Sequence, residues 1–120
     1  MHEQEAAYLR QVPEHSAAKV FSDLPHEEGL KWVARMSMQS SRSFTDKLMH
    51  DSYCHIPVTY ILCTRDKILP PDFQRERIAF LKEAKGGKVD TFELDVGHCP
   101  NASAPKETAD LVHRAIVGRA

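Results

Sequence analysis

The chain has 120 residues, 42% of them hydrophobic and 28% charged, and its 16 Lys and Arg against 17 Asp and Glu give a formal charge of −1. These values are typical of one small globular domain, and no apolar run approaches the roughly 18 residues that a membrane helix needs. The N-terminus lacks the basic and apolar regions of a secretory signal, and the near-neutral charge argues against a nucleic-acid partner. Three scattered cysteines favour a reducing compartment over a disulfide framework, so we expect a soluble, cytoplasmic protein.

The first part of the chain, residues 1–53, has polar, helical patterns. Residues 3–11 predict a short helix that stops before a proline. A second helix is predicted over 25–38, because its apolar residues recur at helical spacing. Ser22 and Asp23 stand just before this helix in a start signal, where either short side chain can accept the unpaired N–H groups of the first turn. A third short helix is predicted within residues 40–49.

The second part, residues 54–120, alternates between strand and helix patterns. Residues 56–63 are nearly all apolar and rich in β-branched side chains, which predicts a strand covered on both faces. A helix at 72–84 follows, and then a strand at 89–96 whose polar and apolar residues alternate, as is typical near a sheet edge. Ser103 is predicted to cap a final helix. The order predicts an α/β fold with a βαβα unit of two parallel strands, packed with the first part as a single compact unit.

Two side chains capable of acid–base chemistry follow the predicted strands. Asp66 comes three residues after the strand at 56–63, and His98 follows the strand at 89–96. Because the carboxyl ends of parallel strands meet at one edge of a sheet, we expect both side chains to project from the same end. A carboxylate there can accept the Nδ1–H of an imidazole and stabilise the imidazolium. The alternative is that Asp66 closes a turn and His98 packs in a loop.

Three stretches of the sequence resemble the C-terminal portion of the α/β-hydrolases, closest to the small-esterase branch of plant methylesterase-like and fungal enzymes. They are IPVTYILCTRDKILPPDFQ at 56–74, TFELDVGHCPNASAPKETADLV at 91–112, and FSDLPHEEGLKWVARMSMQS at 21–40, which resembles the lid of fungal members. The likeness is carried by the C-T-R-D strand end, the Gln-containing helix entered through prolines, and G-H-x-P before the last helix. It implies a partial α/β-hydrolase fold with a lid-like region at 1–53. It also implies that Asp66 is the acid and His98 the general base of a Ser-His-Asp triad.

The sequence departs from that family at the nucleophile. Its serine sits in G-x-S-x-G, and none of the five glycines here flanks a serine at that spacing. Cys99 adjoins His98, but consecutive side chains usually point apart, and Cys63 is predicted to be a core residue. Ser103 is better explained as a cap. No C-x-x-C or H-x-x-x-H pair occurs, so we expect no metal site, and we predict no cofactor.

Three functional interpretations stay open. The first is a shortened hydrolase that opens an ester or lactone in a small metabolite, which the resemblance sets in fungal secondary metabolism. The second is a non-catalytic remnant or interaction module, and the third is a chain whose missing serine is encoded separately. A two-stranded sheet would leave one edge of the strand at 56–63 open, which favours a homo-oligomer formed through that edge. We predict no membrane partner.

Overall fold

The computed structural model describes residues 8–118. The first part contains β1 (Tyr8–Leu9), α1 (Pro13–Lys19), α2 (His26–Ala34), β2 (Gln39–Ser40) and two 3₁₀ turns (Ser41–Phe44 and Ser52–Cys54). The second part contains β3 (Val58–Cys63), α3 (Pro71–Ala84), β4 (Val89–Leu94), the short helix α4 (Pro100–Ser103) and α5 (Pro105–Val117). We call residues 8–53 the helical half and residues 54–118 the sheet half.

Helices α1 and α2 form the small core of the helical half. Ala17, Phe21 and Val33 are buried there, and the ring of Trp32 stacks on Phe21 with 6.2 Å between centroids. Gly29 allows the two helices to approach closely, since a Cβ at that position would lie 3.3 Å from Phe21 Cβ and 3.4 Å from Ala17 Cβ. Each fully buried apolar side chain of this kind contributes about 1.5–3 kcal/mol to folding.

The sequence prediction is least accurate at the start of the helical half. The predicted helix over 3–11 is wrong at Tyr8–Leu9, which form β1 and pair antiparallel with β2; residues 3–7 lie outside the described residues. The cause is pairing with a segment some thirty residues away, which overrides local propensity. Pro13 does not stop a helix but begins α1, because the first turn of a helix needs no N–H from that residue.

The other two predicted helices of the helical half are shorter than expected. The helix over 25–38 ends at Ala34, after which the chain extends into β2. Within residues 40–49 only the 3₁₀ turn Ser41–Phe44 forms. The side chain of Phe44 is 68% exposed, so the apolar spacing there has no packing surface to support a longer helix.

The sheet half confirms the predicted fold class, a helical region followed by a βαβα unit with two parallel strands. Strands β3 and β4 pair in parallel, with Val58 opposite Val89 at one end and Cys63 opposite Leu94 at the other. Helix α3 makes the connection, and the pair Gly86–Gly87 ends it with φ angles of 63° and 87° that favour glycine. The division near residue 54 and the packing of both parts as a single compact unit stay predictions.

Strand β3 is less covered than its apolar sequence predicts. Leu62 and Cys63 are buried, whereas the four residues Val58–Ile61 are only half-buried. Helix α3 packs against the sheet through the buried Ile78. On β4 the expected alternation is present, since Phe92 is half-buried between exposed polar neighbours. Strand β3 is therefore best protected at its carboxyl end.

Candidate functional site

Asp66 is held in place by the turn that follows β3. Its Oδ1 accepts the backbone N–H groups of Ile68 over 2.8 Å and of Leu69 over 3.0 Å. An aspartate that binds the backbone two and three residues ahead closes a turn with its own side chain. The residue is only 8% exposed, so its orientation is set by these bonds. The turn-closing role that the sequence left open is thus present.

The same carboxylate also faces His98. The Nδ1 atom of the imidazole lies 2.9 Å from Oδ2 and 3.1 Å from Oδ1 of Asp66. An ionised carboxylate only accepts hydrogen bonds, so the proton of the neutral ring belongs on Nδ1 and Nε2 keeps its lone pair. The side chain of His98 is 29% exposed. The structure therefore brings the two residues singled out in the sequence into direct contact.

The turn before His98 contacts the helical half. The N–H of Gly97 donates to Oδ2 of Asp23 over 2.7 Å, across 74 positions of sequence. A Cβ at Gly97 would lie 2.8 Å from Asp23 Oδ1, so a larger residue would require the carboxylate to shift. Helix α2 begins with Pro25 as its N-cap and has no side-chain cap, so the capping role predicted for Asp23 is wrong. No local sequence signal indicates this long-range contact.

Electrostatics differ between the carboxylate and the thiols of this region. Burial would raise the pKa of Asp23, but the N–H of Gly97 and the nearby Ser103 hydroxyl outweigh it and hold the pKa below its ordinary value. Burial raises the pKa of Cys63 and of Cys99, and the negative charge of Asp66 adds to the effect. Both thiols therefore stay protonated at neutral pH, which makes them poor nucleophiles.

The serines are not arranged as nucleophiles either. Ser103 does not cap α5, whose N-cap is Ala104; its hydroxyl donates to Cys99 O over 3.4 Å. Ser40 and Ser41 lie in the helical half, at β2 and the following 3₁₀ turn. The ring of His98 bonds through Nδ1 to the carboxylate of Asp66.

Metal-binding clusters and membrane-spanning helices are both absent from the described part of the chain. Among residues 8–118, no group of three or more His, Cys, Asp or Glu side chains is placed to hold a metal ion. None of the helices described in this range is long and apolar enough to cross a membrane.

Two comparisons with known proteins both match the chain to hydrolases. The model of a family described as "Alpha/beta hydrolase family" matches residues 2–111. The fungal protein "Probable hydrolase R7" of Phoma sp. (strain ATCC 20986 / MF5453) is 34% identical over 96 residues. The matched segment is 80% of this chain but 39% of that protein, so the chain spans well under half the length of the curated relative. With the family match over most of its residues, the chain belongs to the alpha/beta hydrolase family.

Proposed function

We propose that Asp66 and His98 are the acid and general base of a hydrolase that opens an ester or lactone in a small, fairly apolar metabolite. The observation that carries the proposal is the contact of 2.9 Å between His98 Nδ1 and the buried carboxylate of Asp66. This contact leaves Nε2 as the basic nitrogen and supplies a negative charge for the imidazolium. The ester or lactone substrate rests on the resemblance to small esterases.

The proposed step is acyl transfer to water. His98 Nε2 takes a proton from water while the water oxygen attacks the acyl carbon, and the protonated ring then gives that proton to the departing alkoxide. The C–O bond to the new hydroxyl forms and the ester C–O bond breaks, so the products are an acid and an alcohol. Because the sequence contains no G-x-S-x-G, water is the nucleophile that this chain can activate alone. Without the oxyanion donors of the complete family fold the reaction should be slow.

The proposal includes a biological setting. The fungal relative is named a hydrolase, which supports a fungal metabolic enzyme, and we infer secondary metabolism from the resemblance. The cytoplasm is the proposed location, because three unpaired cysteines at scattered positions suit a reducing compartment.

The test is hydrolysis of a short-chain aryl ester by the purified chain. Replacing His98 with alanine should abolish the protein-dependent rate, because the base is lost. His113→Ala is the matched control, since His113 is exposed on α5 and should leave the rate unchanged. A serine-directed fluorophosphonate should not label the chain. A rate that survives His98→Ala would remove the support for this function.

A second candidate, an interaction module, is favoured by the exposed surface. The accessible area of 9075 Å² exceeds the about 6,600 Å² typical of a folded monomer of 13.6 kDa. Side chains more than half exposed include Met38, Phe44, Leu48, Met49, Ile56 and Ile116. Exposed apolar side chains and an outer strand of a two-stranded sheet each favour association with another chain.

The occupant we propose for this surface is a second copy of the chain, paired through the edge of β3. Light scattering at tens of micromolar should then report a mass above that of one chain, and the mass should fall on dilution. A monodisperse, folded monomer at the same concentration would contradict self-association and leave the hydrolase proposal untouched.

A further inference from the structure

The hydrogen bond between Asp23 and Gly97 joins the helical half to the sheet half. Asp23 lies between α1 and α2, and its carboxylate reaches the residue that directly precedes His98. The bond of 2.7 Å is short, as expected when an ionised carboxylate accepts a backbone N–H. The helical half therefore touches the turn that carries the proposed base.

The close fit at Gly97 shows that this approach is not incidental. A Cβ there would lie 2.8 Å from Asp23 Oδ1, 3.0 Å from Asp23 Cγ and 3.1 Å from Ser22 Oγ. Contacts under 3.0 Å are not tolerated by real side chains, so any larger residue would push the carboxylate away. The present position of the Asp23 carboxylate therefore depends on the absence of a side chain at Gly97.

The other oxygen of Asp23 is unusual. Oδ1 is buried and accepts no hydrogen bond of good geometry within the part of the chain that the structure describes, although the Ser103 hydroxyl lies near the carboxylate. Native proteins seldom leave a buried acceptor without a hydrogen-bond partner. The pKa of Asp23 nevertheless lies below its ordinary value, so the group is ionised at neutral pH.

The other bonds of the same turn all come from the sheet half. Arg65 N–H donates to Val96 O over 3.0 Å, and Asp66 faces the ring of His98. These contacts hold the turn from one side, next to β3. Asp23 contacts it from the helical half and binds the N–H of Gly97, so it fixes the Val96–Gly97 peptide plane at the start of the turn.

We propose that Asp23 is a positioning residue that holds the Gly97–His98 turn from the helical half and keeps the imidazole of His98 aligned with Asp66. The inference rests on the proposed function of His98 as the base. It adds a third residue, and a second carboxylate, to the site; Asp23 is contributed by the lid-like region and acts through the backbone and not through contact with a substrate.

Nuclear magnetic resonance of the isotope-labelled chain tests this without an activity assay. In Asp23→Ala the Gly97 amide should exchange with solvent roughly tenfold to hundredfold faster. The low-field Nδ1–H signal of His98 should broaden or vanish, since the ring no longer keeps one orientation toward Asp66. Asp23→Asn retains an oxygen acceptor and should restore most of both signals.

Leu24→Ala is the matched control, because Leu24 packs against the core of the helical half without binding Gly97. It should lower the stability of this half and leave the His98 signals in place. If Asp23→Ala does not fold, Gly97→Ala provides the second variant, since its Cβ displaces the carboxylate. Unchanged His98 signals in a folded Asp23→Ala or Gly97→Ala protein would overturn the proposal, as would equal losses in Leu24→Ala. Absence of ester hydrolysis with these signals intact would instead count against the proposed function.

Discussion

The side-chain amide of Gln74 forms two hydrogen bonds with the backbone of Cys63, one in each direction. Cys63 N–H donates to Oε1 over 3.0 Å, and Nε2 donates to Cys63 O over 2.9 Å. Because Thr64 N–H donates to Leu94 O on β4, the backbone groups of Cys63 point to the opposite edge of β3. A side chain of α3 therefore replaces a neighbouring strand, three residues before Asp66, and confines any strand pairing to the part of β3 before Cys63.

Replacing Gln74 with alanine should lower the free energy of unfolding by about 2–4 kcal/mol. Gln74 is 2% exposed and also donates to Leu69 O over 2.7 Å, so the variant leaves several buried backbone groups unpaired. Urea denaturation followed by circular dichroism measures the change. Gln39→Ala is the control, because its exposed amide bonds only to the Ser43 hydroxyl in β2 and the next turn; its effect should stay within about 0.5 kcal/mol. Equal effects in both variants would contradict the strand-replacing role.

Asp66→Asn should reduce ester hydrolysis by about 10²-fold to 10⁴-fold while the protein stays folded. The amide oxygen can still accept the N–H groups of Ile68 and Leu69, so the turn persists. The amide lacks the charge that stabilises imidazolium and that selects the tautomer with the proton on Nδ1. Initial rates against a short-chain aryl ester, with a thermal melt of the same sample, separate activity from folding.

The control for this prediction is Asp95→Asn. Asp95 is exposed near the same end of the sheet, where it bonds to Thr64 and Arg65 and not to the imidazole. Its substitution should leave the rate within about twofold, as expected for a surface ion pair worth less than 1 kcal/mol. If both variants lose activity alike, general loss of negative charge and not the Asp66–His98 pair is responsible.

The sheet half was predictable because its signals are local. The apolar run of β3, the prolines that open α3 and the Gly86–Gly87 pair each act within a few residues. The meeting of Asp66 and His98 also follows from topology, since parallel strands place their carboxyl ends together. For Asp66 and His98, their positions after the two strands were enough to predict that they lie close together.

The helical half was predicted poorly because its decisive contacts are remote. Tyr8–Leu9 become a strand only through pairing with residues 39–40. Asp23 and Ser103 both have the chemistry of helix caps, yet α2 and α5 begin without side-chain caps. Asp23 instead binds a backbone N–H 74 positions away, and a pattern confined to one segment carries no information about such a partner.

Stability should depend on the ionisation of Asp23 in acid. Because its pKa is lower in the folded chain than the ordinary 3.8, Asp23 contributes stability that is fully present above that value. The contribution is lost as pH falls through the lower pKa of the folded state. Urea midpoints of the wild type and of Asp23→Asn should therefore differ by a constant amount at neutral and mildly acidic pH. Below about pH 4 the wild type should lose this stability, so the difference between the two urea midpoints should change. Parallel curves down to about pH 2 would show that the ionisation of Asp23 contributes nothing to folding stability.

Iodoacetamide should alkylate Cys63 and Cys99 slowly in the folded chain. Burial raises the pKa of both thiols and the charge of Asp66 raises it further, so each should react more slowly at neutral pH than free cysteine. Mass spectrometry of peptides after brief treatment measures the rate at each site, and the same treatment in urea should make all three cysteines react alike.

The comparison also decides between nucleophiles, because a cysteine activated by His98 would be the fastest thiol in the folded chain and would lose that advantage in His98→Ala. Rapid, His98-dependent alkylation of Cys99 would replace water with a thiolate in the proposed reaction.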